Sequence, residues 1–375
     1  MKTRAAVLDT MGVSRPYAES RPLVIAELEL EAPGPEELLV NLHAAGLCHS
    51  DLSVIDGNRP RPVPMALGHE ASGIVEAVGA NVSRFSPGDH VVLVFVPSCG
   101  QCLPCASGRP ALCEPGAVAN SQGTLLSGAR RLRRDGKAIH HHLGVSAFAD
   151  YVTVSQQSAI RIDPGIDLTQ AALFGCAVLT GVGAVVNTGA VPPGSSVAVV
   201  GLGGVGLSAL LGARVSGARQ IIAVDLSDSK LQLATELGAT HAVNAGAAHA
   251  VEAIRDLSSG GVEFAFEMAG AVPALELAYN VTRRGGTTIT TGLPHPERRF
   301  ALPAASLVAE ERVLKGSYIG TCVPARDLPR YLALYAQGRL PVERLLSGVL
   351  DLDDINAGFD ALADGTAVRQ VITLG

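Results

Sequence analysis

The first 155 residues consist mostly of short apolar runs separated by turn-forming residues. Four runs have the length and the β-branched content of strands: ELLVNLHAAG, SGIVEAVGA, DHVVLVFVP and FADYVTVS. Gly, Pro, Asn or Asp residues punctuate the chain around them, as is usual between strands. The pattern predicts a twisted, barrel-like β region with irregular loops.

After Asp167 the pattern changes to buried strands that alternate with helices. The strand-like runs are SSVAVVG, ARQIIAVD, ATHAVNA, VEFAFEMAG, GGTTITTGL and RVLKGSYIG. Helical stretches such as VGLSALLGARVSG and SDSKLQLATELG lie between them. Such alternation is typical of βαβ units, so residues 196–317 are predicted to form a doubly wound parallel sheet. From about Thr321 the chain mixes helix and strand again, and we expect it to pack back on the first domain.

Composition narrows the class of protein. Of 375 residues, 47% are hydrophobic and 17% are charged, which describes a globular chain long enough for two domains. The net charge of −6 and the lack of a long basic tract argue against nucleic acid or an anionic membrane as partner. No apolar run reaches the roughly 20 residues that span a bilayer, and the N-terminus lacks a signal-peptide core. We therefore expect a cytoplasmic protein, in which seven cysteines favour metal binding over disulfides.

A glycine-rich turn marks a candidate dinucleotide site. Gly201, Gly203 and Gly206 form G-x-G-x-x-G directly after an apolar strand and directly before a helix. In this context the glycines allow a tight turn, and the helix N-terminus offers N–H donors to a pyrophosphate. Asp225 ends the next strand, where a carboxylate accepts hydrogen bonds from the ribose hydroxyls and favours NAD over NADP. Lys230 could reach the same ribose. The alternative is a structural turn with a chance aspartate.

Four cysteines within fifteen residues predict one closed metal site. The segment CGQCLPCASGRPALC has the spacing C-x2-C-x2-C-x7-C and supplies Cys99, Cys102, Cys105 and Cys113. Four thiolates can enclose one tetrahedral zinc ion and leave no open position, so such a site is structural. Spacing alone leaves an iron–sulfur cluster or idle thiols as alternatives.

A second group of candidate ligands is scattered along the chain. Cys48 begins the run Cys-His-Ser-Asp, His69 and Glu70 lie between glycines in LGHEASG, and Cys176 lies in LFGCAVL. Two thiolates and one imidazole suit a catalytic zinc with an open fourth position. Their spacing does not establish this grouping, because a lone Cys or His in an apolar run is often simply buried. Cys322 has no evident partner and is expected to be a packing residue.

Together these motifs resemble one enzyme family. GLCHSD, GHEASGIVEAVG, the four-cysteine loop, FGCAVLTGVGA and GLGGVG occur in the order found in zinc-dependent medium-chain alcohol dehydrogenases, over essentially the whole chain. The chain length and the stretch between Cys113 and Tyr151 resemble the long-chain animal and glutathione-linked group. The resemblance implies an α/β protein: a GroES-like β-barrel catalytic domain (1–177, completed by 321–375) and a Rossmann NAD-binding domain (178–320). It also implies two zinc ions per chain and a homodimer.

The resemblance assigns a role to each residue of the catalytic group. Cys48, His69 and Cys176 match the catalytic zinc ligands, and Glu70 matches a carboxylate that can approach the metal. Asp51 matches the residue that orients the ligating imidazole, and Ser50 matches the hydroxyl that takes the substrate proton. Ser53 stands where many members carry a histidine that completes the proton relay, so we expect the proton to leave through water or another group.

Further residues match the family's cofactor contacts and substrate pocket. His49 and Arg369 match phosphate-binding residues, although His49 stands where arginine is usual and should bind phosphate less tightly. Thr180 and Val205 match residues around the nicotinamide, and Gly204 matches a residue of the phosphate loop. The expected pocket wall consists of Phe95, His142 and Leu143. For His140 to His142 the sequence leaves a solvated turn as the alternative.

The expected function is NAD-dependent, zinc-dependent oxidation of a primary alcohol, with aromatic and terpenoid alcohols as the candidate substrates. A thiol-dependent formaldehyde dehydrogenase is the alternative, and Arg59 and Arg61 are available to hold the thiol adduct. Polyol dehydrogenases usually carry Glu at the position of Cys176, which argues against them. A catalytically silent quinone-reductase or crystallin-like relative should lack the zinc ligands that this chain retains.

Overall fold

The computed structural model describes residues 1–374 and divides into two units. The first unit contains residues 1–176, 323–329 and the chain from Glu343 onward, and the second contains residues 177–322 and 330–342. The strands, in chain order, are β1 (Lys2–Leu8), β2 (Leu23–Leu30), β3 (Glu37–Gly46), β4 (Met65–Ala66), β5 (Ala71–Val78), β6 (His90–Leu93), β7 (Leu132–Arg134), β8 (Lys137–His141), β9 (Tyr151–Ser155), β10 (Ala159–Arg161), β11 (Ser196–Val200), β12 (Gln220–Asp225), β13 (His241–Asn244), β14 (Val262–Glu267), β15 (Thr282–Thr290), β16 (Val313–Gly316), β17 (Leu346–Asp351) and β18 (Arg369–Thr373).

Most helices are short, and both units contain several of them. The α-helices, in chain order, are α1 (Tyr17–Ser20), α2 (His49–Ile55), α3 (Leu103–Ala106), α4 (Glu114–Gln122), α5 (Leu168–Ala171), α6 (Ala177–Gly183), α7 (Gly204–Val215), α8 (Asp228–Glu236), α9 (Ala250–Leu257), α10 (Val272–Val281), α11 (Ala304–Ala309), α12 (Pro324–Ala336) and α13 (Ile355–Ala363). A π-helical turn, Ala184–Gly189, continues α6.

A closed barrel and a larger sheet form the first unit. The barrel has the strand order β1-β2-β7-β8-β4. Strand β4 pairs in parallel with β8, with Met65 opposite His140 and Ala66 opposite His141. The larger sheet has the order β10-β6-β5-β3-β18-β17, and β9 also pairs with β3. The C-terminal strand β18 is therefore hydrogen-bonded to β3 within this unit.

The second unit is built around a parallel sheet in the order β13-β12-β11-β14-β15-β16. This is the strand order of a doubly wound dinucleotide fold, and it confirms the predicted fold class. Every residue of β11 is buried, as expected for a central strand that helices cover on both faces. Its core includes Val200, Ile222, Val224 and Ile254, and burying a side chain of this size stabilises the fold by roughly 1.5–3 kcal/mol.

Within residues 1–374, no single helix is long and apolar enough to cross a membrane. One bent pair, Leu168–Gly175 with Ala177–Gly189, meets the length and composition test only when the two pieces are taken together.

Candidate catalytic, metal and cofactor sites

The scattered candidate ligands come together in one buried cluster. Cys48 follows β3 and precedes α2, His69 and Glu70 lie between β4 and β5, and Cys176 is the last residue of the first unit. One ligand atom from each of these four residues lies within 4.8 Å of the others. The two sulfur atoms, Cys48 Sγ and Cys176 Sγ, are 4.0 Å apart. The chain fold thus unites residues that the sequence separates widely.

The electrostatics of this cluster suit a divalent cation. The thiol of Cys176 and the imidazole of His69 help to hold the pKa of Cys48 well below its ordinary value despite burial. Burial lowers the pKa of His69, but Asp51 and Cys48 raise it by more, so that the net pKa lies well above the ordinary value. The two pKa shifts favour a negative charge on Cys48 and a positive charge at His69. A zinc ion displaces protons from such ligands and supplies the positive charge itself. The buried atoms His69 Nε2 and Glu70 Oε2 have no hydrogen bond of normal geometry among residues 1–374. The donor set therefore fits zinc.

Asp51 holds the imidazole of His69 from behind. Asp51 Oδ2 lies 3.0 Å from His69 Nδ1, and Asp51 Oδ1 accepts a hydrogen bond of 3.0 Å from the backbone N–H of Gly68. Burial raises the pKa of Asp51, but the charge on His69 and the close imidazoles of His69 and His142 outweigh it, so the pKa is lowered. An ionised carboxylate at Nδ1 leaves Nε2 to face the thiols, which is the orientation that a ligating histidine needs.

Glu70 and Arg369 form a buried ion pair beside the cluster. Arg369 begins β18, and its Nη2 donates a hydrogen bond to Glu70 Oε1. Burial raises the pKa of Glu70 to about 7, although Arg369 opposes the change. Arg369 is almost completely buried in this pair, and its predicted contact with a cofactor phosphate stays a prediction.

Helix α2 carries the remaining residues of the Cys-His-Ser-Asp run. His49 is the first residue of the helix and is exposed, and Ser50 is half-buried. The hydroxyl of Ser53 donates to the backbone carbonyl of His49 at 2.7 Å. Ser53 therefore bonds to its own helix, as serine often does four residues after a carbonyl.

The four-cysteine loop forms a second cluster. One sulfur from each of Cys99, Cys102, Cys105 and Cys113 lies within 4.8 Å of the others. Backbone N–H groups point at the sulfurs: Cys99 N lies 3.2 Å and Gly116 N 3.3 Å from Cys113 Sγ. Hydrogen bonds from the backbone lower the pKa of Cys99 to about 7, while burial raises the pKa of Cys105 to about 12. Four sulfurs around one position and no acid or base among them suit a structural ion.

The glycine-rich turn links β11 to α7, as predicted. Gly201 has φ of +92°, and a Cβ atom on Gly206 would lie 1.8 Å from the carbonyl oxygen of Gly201. Asp225 ends β12, and its Oδ2 and Oδ1 accept hydrogen bonds from Leu202 N (2.6 Å) and Ser227 N (2.9 Å). The carboxylate thus lies beside the turn, at the carboxyl edge where such sheets bind dinucleotides.

The other predicted cofactor residues lie in the same unit. Lys230 is half-buried on α8. A Cβ on Gly181 would lie 2.2 Å from the carbonyl oxygen of Val205, so α6 and α7 are in close contact. Thr180 precedes that contact and is buried, and Gly204 begins α7. Their contacts with a nicotinamide stay a prediction.

Glu267 is a site residue that the sequence analysis missed. It ends β14, the strand that lies next to β11 at the point where strand order reverses. Its Oε1 accepts hydrogen bonds from Ala269 N and Gly270 N, and its Oε2 accepts one from Thr290 Oγ1 at 2.6 Å. Glu267 fixes the loop that follows β14 at the edge where dinucleotides bind. The sequence signal that could have identified Glu267 is an acidic residue at the end of a buried strand.

The predicted pocket residues lie around His69. The ring of Phe95 meets the ring of His69 edge-on at 5.2 Å between centroids, and the ring of His142 does so at 5.6 Å. Leu143 is buried and has φ of +52°. His141 and His142 are also buried, so a solvated turn at this run is wrong. The contact of Phe95, His142 and Leu143 with substrate stays a prediction.

Arg59 and Arg61 are both half-buried. Arg61 Nη1 lies 3.5 Å from the backbone carbonyl oxygen of Asn120, which it can reach as a donor.

Comparison with known proteins identifies the family. Residues 34–164 match the family described as alcohol dehydrogenase GroES-like domain, and residues 204–337 match the family described as zinc-binding dehydrogenase. The candidate alcohol dehydrogenase D of Mycobacterium tuberculosis is 39% identical over 376 residues, which cover 99% of this chain and 100% of that protein.

Two crystal structures have closely similar folds. The alcohol dehydrogenase zinc-binding domain protein from Burkholderia ambifaria has a TM-score of 0.94 and 37% identity, covering 100% of this chain and 99% of that chain. Benzyl alcohol dehydrogenase from Acinetobacter calcoaceticus has a TM-score of 0.93 and 33% identity, and the match covers both chains completely. Both family domains and a full-length relative agree with the metal-ligand cluster: this chain belongs to the zinc-binding medium-chain alcohol dehydrogenases.

Proposed function

We propose that this enzyme oxidises primary alcohols, aromatic ones among them, to aldehydes with NAD⁺ as hydride acceptor, and that the reaction is reversible. The observation that carries the proposal is the buried cluster of Cys48, His69, Glu70 and Cys176. The similarity to benzyl alcohol dehydrogenase supports an aromatic substrate. The proposal includes the long-chain subgroup, the catalytic domain over 1–177 and 321–375, and the cofactor domain over 178–320.

In this proposal each residue of the first unit has a defined task. Cys48, His69 and Cys176 would hold the catalytic zinc, which when bound supplies a Lewis acid that lowers the pKa of the alcohol hydroxyl. Asp51 fixes the ring of His69, and the hydroxyl of Ser50 takes the alcohol proton. Because Ser53 is bonded to the carbonyl of His49, the proton would pass from Ser50 to water. The four cysteines from Cys99 to Cys113 would hold a second, structural zinc.

NAD rather than NADP is the proposed cofactor because of Asp225. Its carboxylate is anchored through both oxygens at the carboxyl end of β12. A carboxylate there accepts hydrogen bonds from ribose hydroxyls and repels a 2′-phosphate. His49 and Arg369 are the proposed phosphate ligands, and Phe95, His142 and Leu143 are the proposed pocket residues.

A homodimer through the edge strand β16 is also proposed. All four residues of β16 are exposed, among them Val313 and Leu314, and Val308 nearby is 79% exposed. An exposed apolar edge strand readily pairs with another strand. Light scattering of the native enzyme and of Leu314→Lys tests this. We expect a dimer for the first and a monomer for the second, and a monomeric native enzyme would contradict the proposal. We also propose a cytoplasmic location.

A substrate screen tests the proposed reaction. Absorbance at the nicotinamide band would report NAD⁺ and NADP⁺ reduction with aliphatic, benzylic and allylic alcohols, and with formaldehyde plus a low-molecular-weight thiol. We expect benzylic alcohols with NAD⁺ to have the highest kcat/KM. Activity confined to formaldehyde plus thiol would instead favour a thiol-dependent formaldehyde dehydrogenase. The lack of turnover with every alcohol would contradict the proposal.

A further inference from the structure

His142 occupies a rigid position beside the catalytic cluster. Because β4 and β8 pair in parallel, His142 follows His141 alongside the segment that leads into His69. Its backbone N–H lies 3.3 Å from the carbonyl oxygen of Ala66 and 3.0 Å from Ser146 Oγ. Its carbonyl accepts hydrogen bonds from Val145 N and Ser146 N. The backbone on both sides therefore fixes where the ring can point.

The ring of His142 lies beside both Asp51 and the ring of His69. His142 Nδ1 lies 3.0 Å from Asp51 Oδ1, and His69 Nδ1 lies 3.0 Å from Asp51 Oδ2. All three side chains are buried. Both contacts have ion-pair distances, although neither imidazole Nδ1 atom makes a hydrogen bond of normal geometry within residues 1–374. The trio is thus a buried close-contact cluster in which one carboxylate contacts two imidazoles.

An imidazole nitrogen that lies 3.0 Å from a carboxylate oxygen is electrostatically favoured when it carries a hydrogen, so we assign an N–H of His142 to Nδ1. Nitrogen atoms of His142, His69 and Gly68 each lie 3.0 Å from an oxygen of Asp51. Removing the His142 nitrogen would leave Oδ1 with only the N–H of Gly68 among these contacts, and the carboxylate would be freer to rotate away from His69.

We propose that His142 is a positioning residue for the catalytic zinc site: it holds Asp51, and through Asp51 it fixes the imidazole of His69. The inference rests on the proposed function, because it assumes that His69 binds zinc. It adds to the predicted pocket role a task that a phenylalanine at this position could not perform. Removing a direct partner of a ligating histidine, such as Asp51, typically changes metal affinity or activity by roughly 10–100-fold, and we expect the lower end of that range for a residue that acts through Asp51.

The test is zinc release from the zinc-loaded enzyme into excess chromogenic chelator. His142→Phe removes the donor, whereas His142→Asn offers an amide N–H near the position of Nδ1. His140→Phe makes the same change two residues away, where His140 Nδ1 contacts the carbonyl of Pro64 instead. The Cys48→Ser enzyme identifies the release phase that belongs to the catalytic cluster.

We expect His142→Phe to release catalytic-site zinc about 10-fold faster than the native enzyme. We expect His142→Asn to stay within about 3-fold and His140→Phe to be unchanged, and the phase of the four-cysteine site to be the same in all variants. If His142→Phe does not fold, His142→Gln replaces it. The glutamine amide lies near the position of Nε2 and should not restore the contact with Asp51. Unchanged zinc release in His142→Phe or His142→Gln, with KM shifts that follow alcohol size, would overturn the inference and leave only a pocket role.

The same experiment distinguishes a failure of the proposed zinc site from a failure of the role proposed for His142. If the native enzyme shows no zinc phase that Cys48→Ser abolishes, the proposed function fails, and the inference fails with it. If that phase is present but insensitive to His142, only the inference fails.

Discussion

His141 should make the stability of the fold depend on pH in mildly acidic solution. Its imidazole is fully buried, and burial lowers its pKa from 6.5 to about 4, although the Glu37 carboxylate opposes this. Its Nε2 atom accepts a hydrogen bond of 3.0 Å from the backbone N–H of Arg131. The folded protein therefore keeps the ring neutral at pH values where the unfolded chain already binds a proton.

The size of the effect follows from the two pKa values. As the pH falls below about 6.5, protonation stabilises the unfolded chain, and the free energy of unfolding decreases until the folded ring also titrates near pH 4. The gap between the pKa values corresponds to about 3 kcal/mol in total, of which about 2 kcal/mol is lost by pH 5. Above pH 7 this residue contributes no pH dependence.

His141→Gln isolates this contribution, because a glutamine carbonyl can accept the hydrogen bond from Arg131 without titrating. Urea unfolding at pH 7.5 and pH 5, followed by circular dichroism because the chain has no tryptophan, gives the free energy of unfolding for both proteins. We expect the native protein to lose about 2 kcal/mol more than His141→Gln over this interval. Equal losses in the two proteins would refute the reasoning that burial keeps this ring neutral.

Three further predictions concern the cofactor site. Gly206→Ala should lower Tm, because the new Cβ would lie 1.8 Å from the carbonyl oxygen of Gly201. Gly203→Ala should leave Tm unchanged, since nothing lies within 4 Å of its Cβ. It should weaken NADH binding about 10-fold or more, because the second glycine lets the backbone approach the pyrophosphate. Equal Tm losses in the two variants would contradict these different roles of Gly203 and Gly206. His49→Arg should bind NADH more tightly and release it more slowly in stopped-flow measurements, because arginine stays charged at neutral pH; an unchanged dissociation rate would refute this. Asp225→Ala should raise kcat/KM with NADP⁺ relative to NAD⁺ by about 10-fold or more, because the repulsion of a 2′-phosphate is removed; an unchanged ratio would show that Asp225 does not set cofactor preference.

The parts of the molecule that depend on local sequence could be predicted directly. The buried runs around β11 and β12 and the glycines between β11 and α7 form elements of the predicted type, because strand burial and the Gly-rich turn are local properties. The four-cysteine loop was equally local, since all four sulfurs come from fifteen consecutive residues.

The catalytic cluster could not be assembled from spacing. Cys48 and Cys176 are 128 positions apart, and Glu70 and Arg369 are 299 positions apart. Only the resemblance to a family grouped the metal ligands before the structure did. The ion pair of Arg369 with Glu70 follows from the pairing of β18 with β3, which is a long-range contact that no local pattern encodes.

The contact between His142 and Asp51 shows the same limit on a smaller scale. It depends on the register between β4, a strand of two residues, and β8. Periodicity cannot predict so short a strand or its partner. The sequence therefore left a solvated turn as an alternative for His140 to His142, whereas in the structure His141 and His142 are buried.

Zinc content measured together with alcohol oxidation tests the central claim most directly. The native enzyme, Cys176→Ser and Cys322→Ser would be analysed by atomic emission after extensive dialysis; Cys322 is a buried cysteine outside both clusters and serves as the matched control. We predict two zinc ions per chain and full activity for the native enzyme and Cys322→Ser, and one zinc ion with no activity for Cys176→Ser. A native enzyme that is fully active with one zinc ion, or a Cys176→Ser enzyme that keeps both zinc and activity, would contradict the account.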